Sequence, residues 1–310
     1  MLRQATFLLF TLHLVSASAQ SGPAYYWLLD ETSGTMAQAF SGGSPGVLQG
    51  GVLWDPIGGH HQGAARFDGV DDRILLGPCD LTNGGAQITL SLWVRPDFVT
   101  GMERTLIAKA TGPTAEDHQW SIAFVNATAL RFRLRTGGTT TELNTSPSSI
   151  FSGTWYHVAA VYDGAQMWLY INGGLMASTS KSGSLNFAPQ APASLGAQST
   201  GSAPFSGWID DVRIYDRALT GTEVIGILFE QITTGIADAP HALSYRDGML
   251  HVPAGHWTTV TIIDPSGRTV MERPVAYTLT NTEVGTLPTG IYLVCLLGPE
   301  QRSVHRMLLP

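Results

Sequence analysis

Three stretches of this 310-residue chain alternate apolar and polar side chains with a period of two. Ile88, Leu90, Leu92 and Val94 are interleaved with Thr89, Ser91, Trp93 and Arg95. Leu130, Phe132 and Leu134 are interleaved with Arg131, Arg133 and Arg135, and Met167, Leu169 and Ile171 with Trp168, Tyr170 and Asn172. Successive side chains of a strand point to opposite faces, so the pattern predicts strands with one face in a core. Gly137-Gly138 and Asn172-Gly173 follow two of them as two-residue hairpin turns, since these residues tolerate positive φ. The first turn returns the chain as a strand over 139–143, in a register that sets Arg133 opposite Glu142. Short strands recurring between Gly, Pro and Asn turns are the pattern of an antiparallel sandwich. Only 13% of residues are charged, and the abundance of Gly, Thr and Ser over Lys and Glu suits an all-β secreted protein.

Several motifs stand in one order along this region. They are Arg66-Phe67-Asp68-Gly69-Val70-Asp71-Asp72, Leu90-Ser91-Leu92-Trp93-Val94-Arg95-Pro96, Trp155-Tyr156-His157-Val158-Ala159, Tyr162-Asp163-Gly164 and Leu169-Tyr170-Ile171-Asn172-Gly173. The last is Trp208-Ile209-Asp210-Asp211-Val212-Arg213-Ile214-Tyr215-Asp216-Arg217-Ala218-Leu219. In that order and spacing, roughly residues 24–230 closely resemble the laminin-G-like, concanavalin A-like antiparallel β-sandwich (a jelly roll), a fold used mainly for binding. The resemblance implies such a domain over 20–232. One short helix is expected at its end, where Thr220 and Glu223 form a capping box ahead of Val224, Ile227 and Leu228.

The termini read as export signals. Arg3, an apolar run from Ala5 to Val15 and Ala17-Ser18-Ala19 form a signal peptide over 1–19. The run is shorter than the ~20 residues that span a bilayer. Residues 233–239 read as a linker. From 240 to 310 the strand-turn-strand at Val260 to Val270, the turn into Gly290-Ile291-Tyr292 and the final Ser303 to Leu309 resemble the C-terminal sorting domain of type IX secretion cargo in Bacteroidetes. That resemblance implies a small immunoglobulin-like β-sandwich recognised at the outer membrane. Cys79 and Cys295 fall in different predicted domains, and two cysteines exclude a disulfide scaffold or a cysteine-based zinc site.

The net charge is −7 and no basic run is present, so nucleic acid is excluded as an expected partner. No serine-hydrolase elbow or His-Glu-x-x-His zinc motif occurs. Arg131, Arg133 and Arg135 share one strand face, where guanidiniums either grip sulfate, uronate or sialate or pair with Glu142 on a solvated face. Trp120, with Trp168 and Tyr170, offers aromatic surface for sugar rings or for packing. Asp210 is expected on the face of Val212 and Ile214, hence buried, and answered by amides, an arginine or calcium. Adjacent acids on a strand face opposite sides, so neither Asp71-Asp72 nor Asp210-Asp211 forms an acid and nucleophile couple.

Further expectations come from the resemblance. Glucanase relatives carry Glu-x-Asp-x-x-Glu for their paired carboxylates, and this chain has no such string. In pentraxin relatives, acids aligned with Asp71 and Asp72 bind calcium together with a second loop. That loop here reads Gln198-Ser199-Thr200, without an acid. Terminal strands of the fold pair, which brings Asp30 near Asp210. His157 is ordinary structure in the family. The expected function is a secreted or surface-held, non-enzymatic protein that binds glycan or an extracellular protein, with calcium as the candidate cofactor. A glucanase-like hydrolase or lyase and a purely structural surface protein are the alternatives.

Overall fold

The alternating segments form the centres of two antiparallel sheets. The computed structural model describes residues 22–81, 84–97, 101–126, 128–147 and 150–228. Further on it describes 244–246, 249–252, 258–263, 269–274, 280–283, 287, 290–297 and 302–309. The expected signal peptide and the linker lie outside the described residues.

In the nine-stranded sheet, neighbours run Gly174–Ser180, Gln166–Ile171, Tyr156–Tyr162, Ile88–Pro96, Ser206–Tyr215, Tyr25–Trp27 and Ala39–Ser41. Ser206–Tyr215 serves two neighbours on one side. Its first half pairs with Ala64–Asp68, which carries Leu53–Asp55, and its second half pairs with Tyr25–Trp27. The eight-stranded sheet runs Thr139–Asn144, Ala129–Thr136, His118–Val125, Arg104–Ala110, Ala193–Leu195, Arg73–Gly77, Gly46–Gln49 and Met36–Ala37.

The apolar halves of the alternation meet between the sheets. Leu90, Leu92, Val94, Phe132, Leu134 and Leu169 are all buried in one core cluster with Trp27, Phe67 and Phe205. Both hairpin turns form as expected. Gly137, Gly138, Asn172 and Gly173 have φ of 55°, 81°, 49° and 76°, and Arg133 pairs with Glu142 across the first hairpin. Gly196 is required by packing as well as by its φ of 76°, because a Cβ there would come within 2.1 Å of the edge of the Phe67 ring.

The polar halves are not simply solvated. On the outside of the nine-stranded sheet, the Gly221–Ile227 helix lays Val224 and Ile227 over Ala159, Val161, Tyr170 and Tyr215. Its capping box is present, with the Thr220 side chain accepting from the Glu223 amide. Farther along, the His60 ring stacks on Trp93 with centroids 3.3 Å apart, and Trp93 is 6% exposed.

Beyond 240, the strands Ser244–Arg246, Met249–Val252 and Thr280–Glu283 form one antiparallel sheet. Thr269–Pro274, Thr259–Ile263, Gly290–Leu297 and Arg302–Leu309 form another. Leu250, Val252, Val260, Ile262, Tyr292, Val294 and Leu296 make a separate hydrophobic cluster.

Candidate functional site

A half-open pocket of about 230 Å³ lies at one margin of the eight-stranded sheet. Its walls come from the segment after Arg73–Gly77, from Lys109, from the start of His118–Val125 and from residues 185–188. A bulge between His118 and Trp120 shifts the register there, and both Gln119 and Trp120 line the pocket. Cys79 and Trp120, 3% and 2% exposed, form a floor continuous with the main core. Lys109 is also buried. Its Nζ donates to the Pro78 carbonyl and sits 2.7 Å from Asp80 Oδ1. Burial holds the Cys79 thiol at about 12, well above its usual range. Gln119 is 8% exposed, and its Oε1 has no hydrogen-bond partner among the described residues. At the mouth, Phe187 is 81% exposed. Asn186 accepts the Gly138 amide on Oδ1 at 3.1 Å.

Of the sequence-predicted ligand residues, only Trp120 belongs to this pocket, as floor rather than open platform. The others lie elsewhere. Arg131 and Arg133 are 9% and 7% exposed. Arg131 Nη2 lies 2.5 Å from Glu103 Oε2, and Arg133 Nε 2.5 Å from Glu142 Oε1. Arg133 Nη1 also sits 3.0 Å from His118 Nδ1, and Arg135 pairs with Glu116 at 2.8 Å. Carboxylates of the chain itself stand where an anionic ligand was expected, which corrects that expectation. Burial, with Arg133 next, lowers His118 to about 4, so the ring is neutral near pH 7. Tyr170 packs beneath the helix with Trp168 beside it, so neither is a sugar platform.

Asp210 is buried, but not on the face of Val212. The register of Ser206–Tyr215 slips between Asp210 and Arg213, Asp211 takes a φ of 55°, and Ile209 and Val212 both enter the core. Asp210 and Asp211 therefore both sit on the outer side, at the junction between the strand's two neighbours. Asp210 Oδ2 accepts the His60 and His61 amides at 2.8 and 2.9 Å. Asp211 accepts from the Tyr26 hydroxyl and pairs with Arg213 at 3.1 Å. Asp30 accepts the Gly63 amide at 2.8 Å. Burial raises the Asp210 pKa well above its usual value and the Asp30 pKa to about 6, with neighbouring acids adding to both. The amides answer only one oxygen of Asp210, as its buried-acid reading allowed, and Asp210 Oδ1 has no partner among the described residues.

Residues 56–225 match the concanavalin A-like lectin/glucanases superfamily, laminin G type. The chain belongs to that superfamily. Among solved structures it is similar to domain 4 of an extracellular arabinanase from Geobacillus stearothermophilus, a domain seen in complex with arabinotriose. The TM-score is 0.52 at 23% identity, over 67% of this chain and 98% of that one. It is also similar to the binding domain of Paraclostridial mosquitocidal protein 1 (0.54, 16% identity, 90% and 72% covered). The receptor-binding domain of a botulinum neurotoxin C/D mosaic gives 0.52 at 13% identity, with 91% and 72% covered. At these identities the likeness is one of fold.

One acidic cluster includes the Asp71 and Asp72 singled out in the sequence. Asp68, Asp71 and Asp72, at the crossing from Ala64–Asp68 in one sheet to Arg73–Gly77 in the other, place carboxylate oxygens within 4.8 Å of one another. Asp71 is exposed and Asp72 buried, and both lie in the connection rather than on a strand. Asp72 Oδ2 accepts the Asp68 amide at 2.8 Å, while its buried Oδ1 has no partner. Burial raises the Asp72 pKa, and bringing a cation to the cluster would oppose that. Three hard oxygen donors fit calcium. The second loop adds no acid, and Gly201 in it lies against the Arg73 guanidinium, with 3.2 Å between Nη1 and a Cβ built on the glycine.

Proposed function

We propose that this superfamily member is an extracellular carbohydrate-binding protein that acts by recognition and not by catalysis, through the pocket at Asp80, Lys109, Gln119, Trp120 and Phe187. The observation that carries the reading is Phe187, 81% exposed at the mouth of a pocket that Asp80, Lys109, Gln119 and Asn186 also line. An exposed aromatic beside a few convergent polar groups is what a sugar needs, since its ring offers an apolar face and a rim of hydroxyls. The arabinotriose complex of the arabinanase domain supports a glycan over a protein ligand. Among the described residues Asp80 is the single carboxylate lining the pocket and is tied to Lys109, whereas glycoside hydrolysis calls for two acids facing one groove.

A glycan array probed with the purified chain tests this. Saturable binding is expected, weakened at least tenfold by Phe187→Ala. Binding to protein ligands alone, hydrolysis of the array, or no binding at all would overturn it, the last favouring a structural surface protein. Calcium on Asp68, Asp71 and Asp72 is part of the reading as a structural ion. Millimolar calcium should raise Tm in the wild type and not in Asp71→Asn. Export by residues 1–19 and type IX sorting by 240–310, as an immunoglobulin-like domain, complete the proposal. Deleting 240–310 in a Bacteroidetes host should leave the protein periplasmic.

A further inference from the structure

We infer that the pocket takes one uncharged sugar ring at the end of a glycan chain, which rests on the reading of this pocket as a carbohydrate site. Its volume, about 230 Å³, falls below the ~300–1,000 Å³ of sites for larger ligands, so it has room for a single ring. It is also a dead end. Trp120 and Cys79 close its floor and belong to the main core, so a polysaccharide cannot run through. A ring that enters must be terminal, packed on Phe187 at the mouth, with the rest of the glycan leaving towards solvent.

The electrostatics select against acidic sugars. The charged side chains lining the pocket are Lys109 and Asp80, and they are paired at 2.7 Å. Lys109 spends a further donor on the Pro78 carbonyl, so no unspent cation faces the ligand. A uronate, sialate or sulfate would bring a second negative charge beside Asp80, whose repulsion is large in a partly desolvated site. Neutral hydroxyls meet the opposite situation. The second Asp80 oxygen accepts, and Asn186, with its Oδ1 held by Gly138, keeps its amide nitrogen to donate. An acceptor and a donor around a ring-sized space, with an aromatic at the entrance, suit adjacent hydroxyls of a neutral pyranose or furanose.

The test is calorimetric titration of the full chain with methyl glycosides of arabinose, xylose, glucose, galactose and mannose. Their linear oligomers of two to six units, glucuronic acid, N-acetylneuraminic acid and a sulfated galactan complete the panel. We expect at least one neutral methyl glycoside to bind within about threefold of its own hexamer, because further rings add no contacts. Asn186→Asp, which keeps the acceptor for the Gly138 amide and removes the donor, should weaken binding at least tenfold. Phe187→Ala, at an exposed position, serves as the variant safe for folding. Affinity that climbs more than tenfold from one ring to six, or preference for an acidic glycan, overturns the end-on neutral assignment while glycan binding itself stands. Silence across the whole panel overturns both.

Discussion

His157 lies in mid-strand with no exposed surface, and its Nε2 is 2.8 Å from Ser91 Oγ. Burial first, then Arg213 and His61, hold its pKa down at about 3, so the folded protein keeps it neutral. The unfolded chain takes up a proton at the ordinary value of 6.5. Between 6.5 and 3 the unfolded state binds more protons, so stability is lost as pH falls through that window. Asp30 has the opposite sign. Its pKa is raised to about 6, so the folded state holds the extra proton and stability is gained as pH falls from 6 towards 3.8. Replacing His157 isolates the first effect. Going from pH 7 to pH 5, urea unfolding should cost the wild type about 2 kcal/mol more than His157→Gln, 1.5 pH units below 6.5 at about 1.4 kcal/mol each. At Gly196 both the positive φ and the Phe67 ring oppose a side chain. Gly196→Ala should destabilise by about 1–3 kcal/mol in the same measurement.

At the scale of elements, the Asp-Asp pair is a joint. Ser206–Tyr215 changes neighbours at its bulge, and the two acids there bind backbone and side chains of the flanking segments. Asp210→Ala would leave the His60 and His61 amides without their acceptor and should cost about 2–3 kcal/mol. Asp210→Asn keeps an oxygen and should cost less, and neither loss should change on adding a chelator. The Gly221–Ile227 helix is anchored by its capping box and by two buried side chains. Thr220→Ala should therefore lower stability by about 1 kcal/mol, read from the unfolding midpoint.

At the scale of the chain, the main core and the cluster from Leu250 to Leu296 share no residue. Each has its own hydrophobic reason to fold, so calorimetry of the full chain should resolve two transitions, and a single cooperative one would show that they are coupled. Among the described residues no helix is long and apolar enough to cross a membrane.

The strands, the two hairpin turns, the Arg133–Glu142 register and the capped helix were legible in the linear order of residues. Each rests on local rules: period-two alternation, positive φ at Gly and Asn, and an N-cap reaching three residues ahead. The site was not legible, because Asp80, Lys109, Gln119 and Phe187 are distant in sequence and carry no spacing rule. A bulge and two loops bring them together. Nor does alternation announce where it breaks. The Asp210–Asp211 bulge put both acids on one side, and Glu103, thirty residues from Arg133, took the charge that a strand of arginines had offered to a ligand. Local periodicity dictates which side chains go inward. Where a register slips, and which charges neutralise each other, depends on contacts between segments far apart along the chain, and these exist only once the sheets have packed.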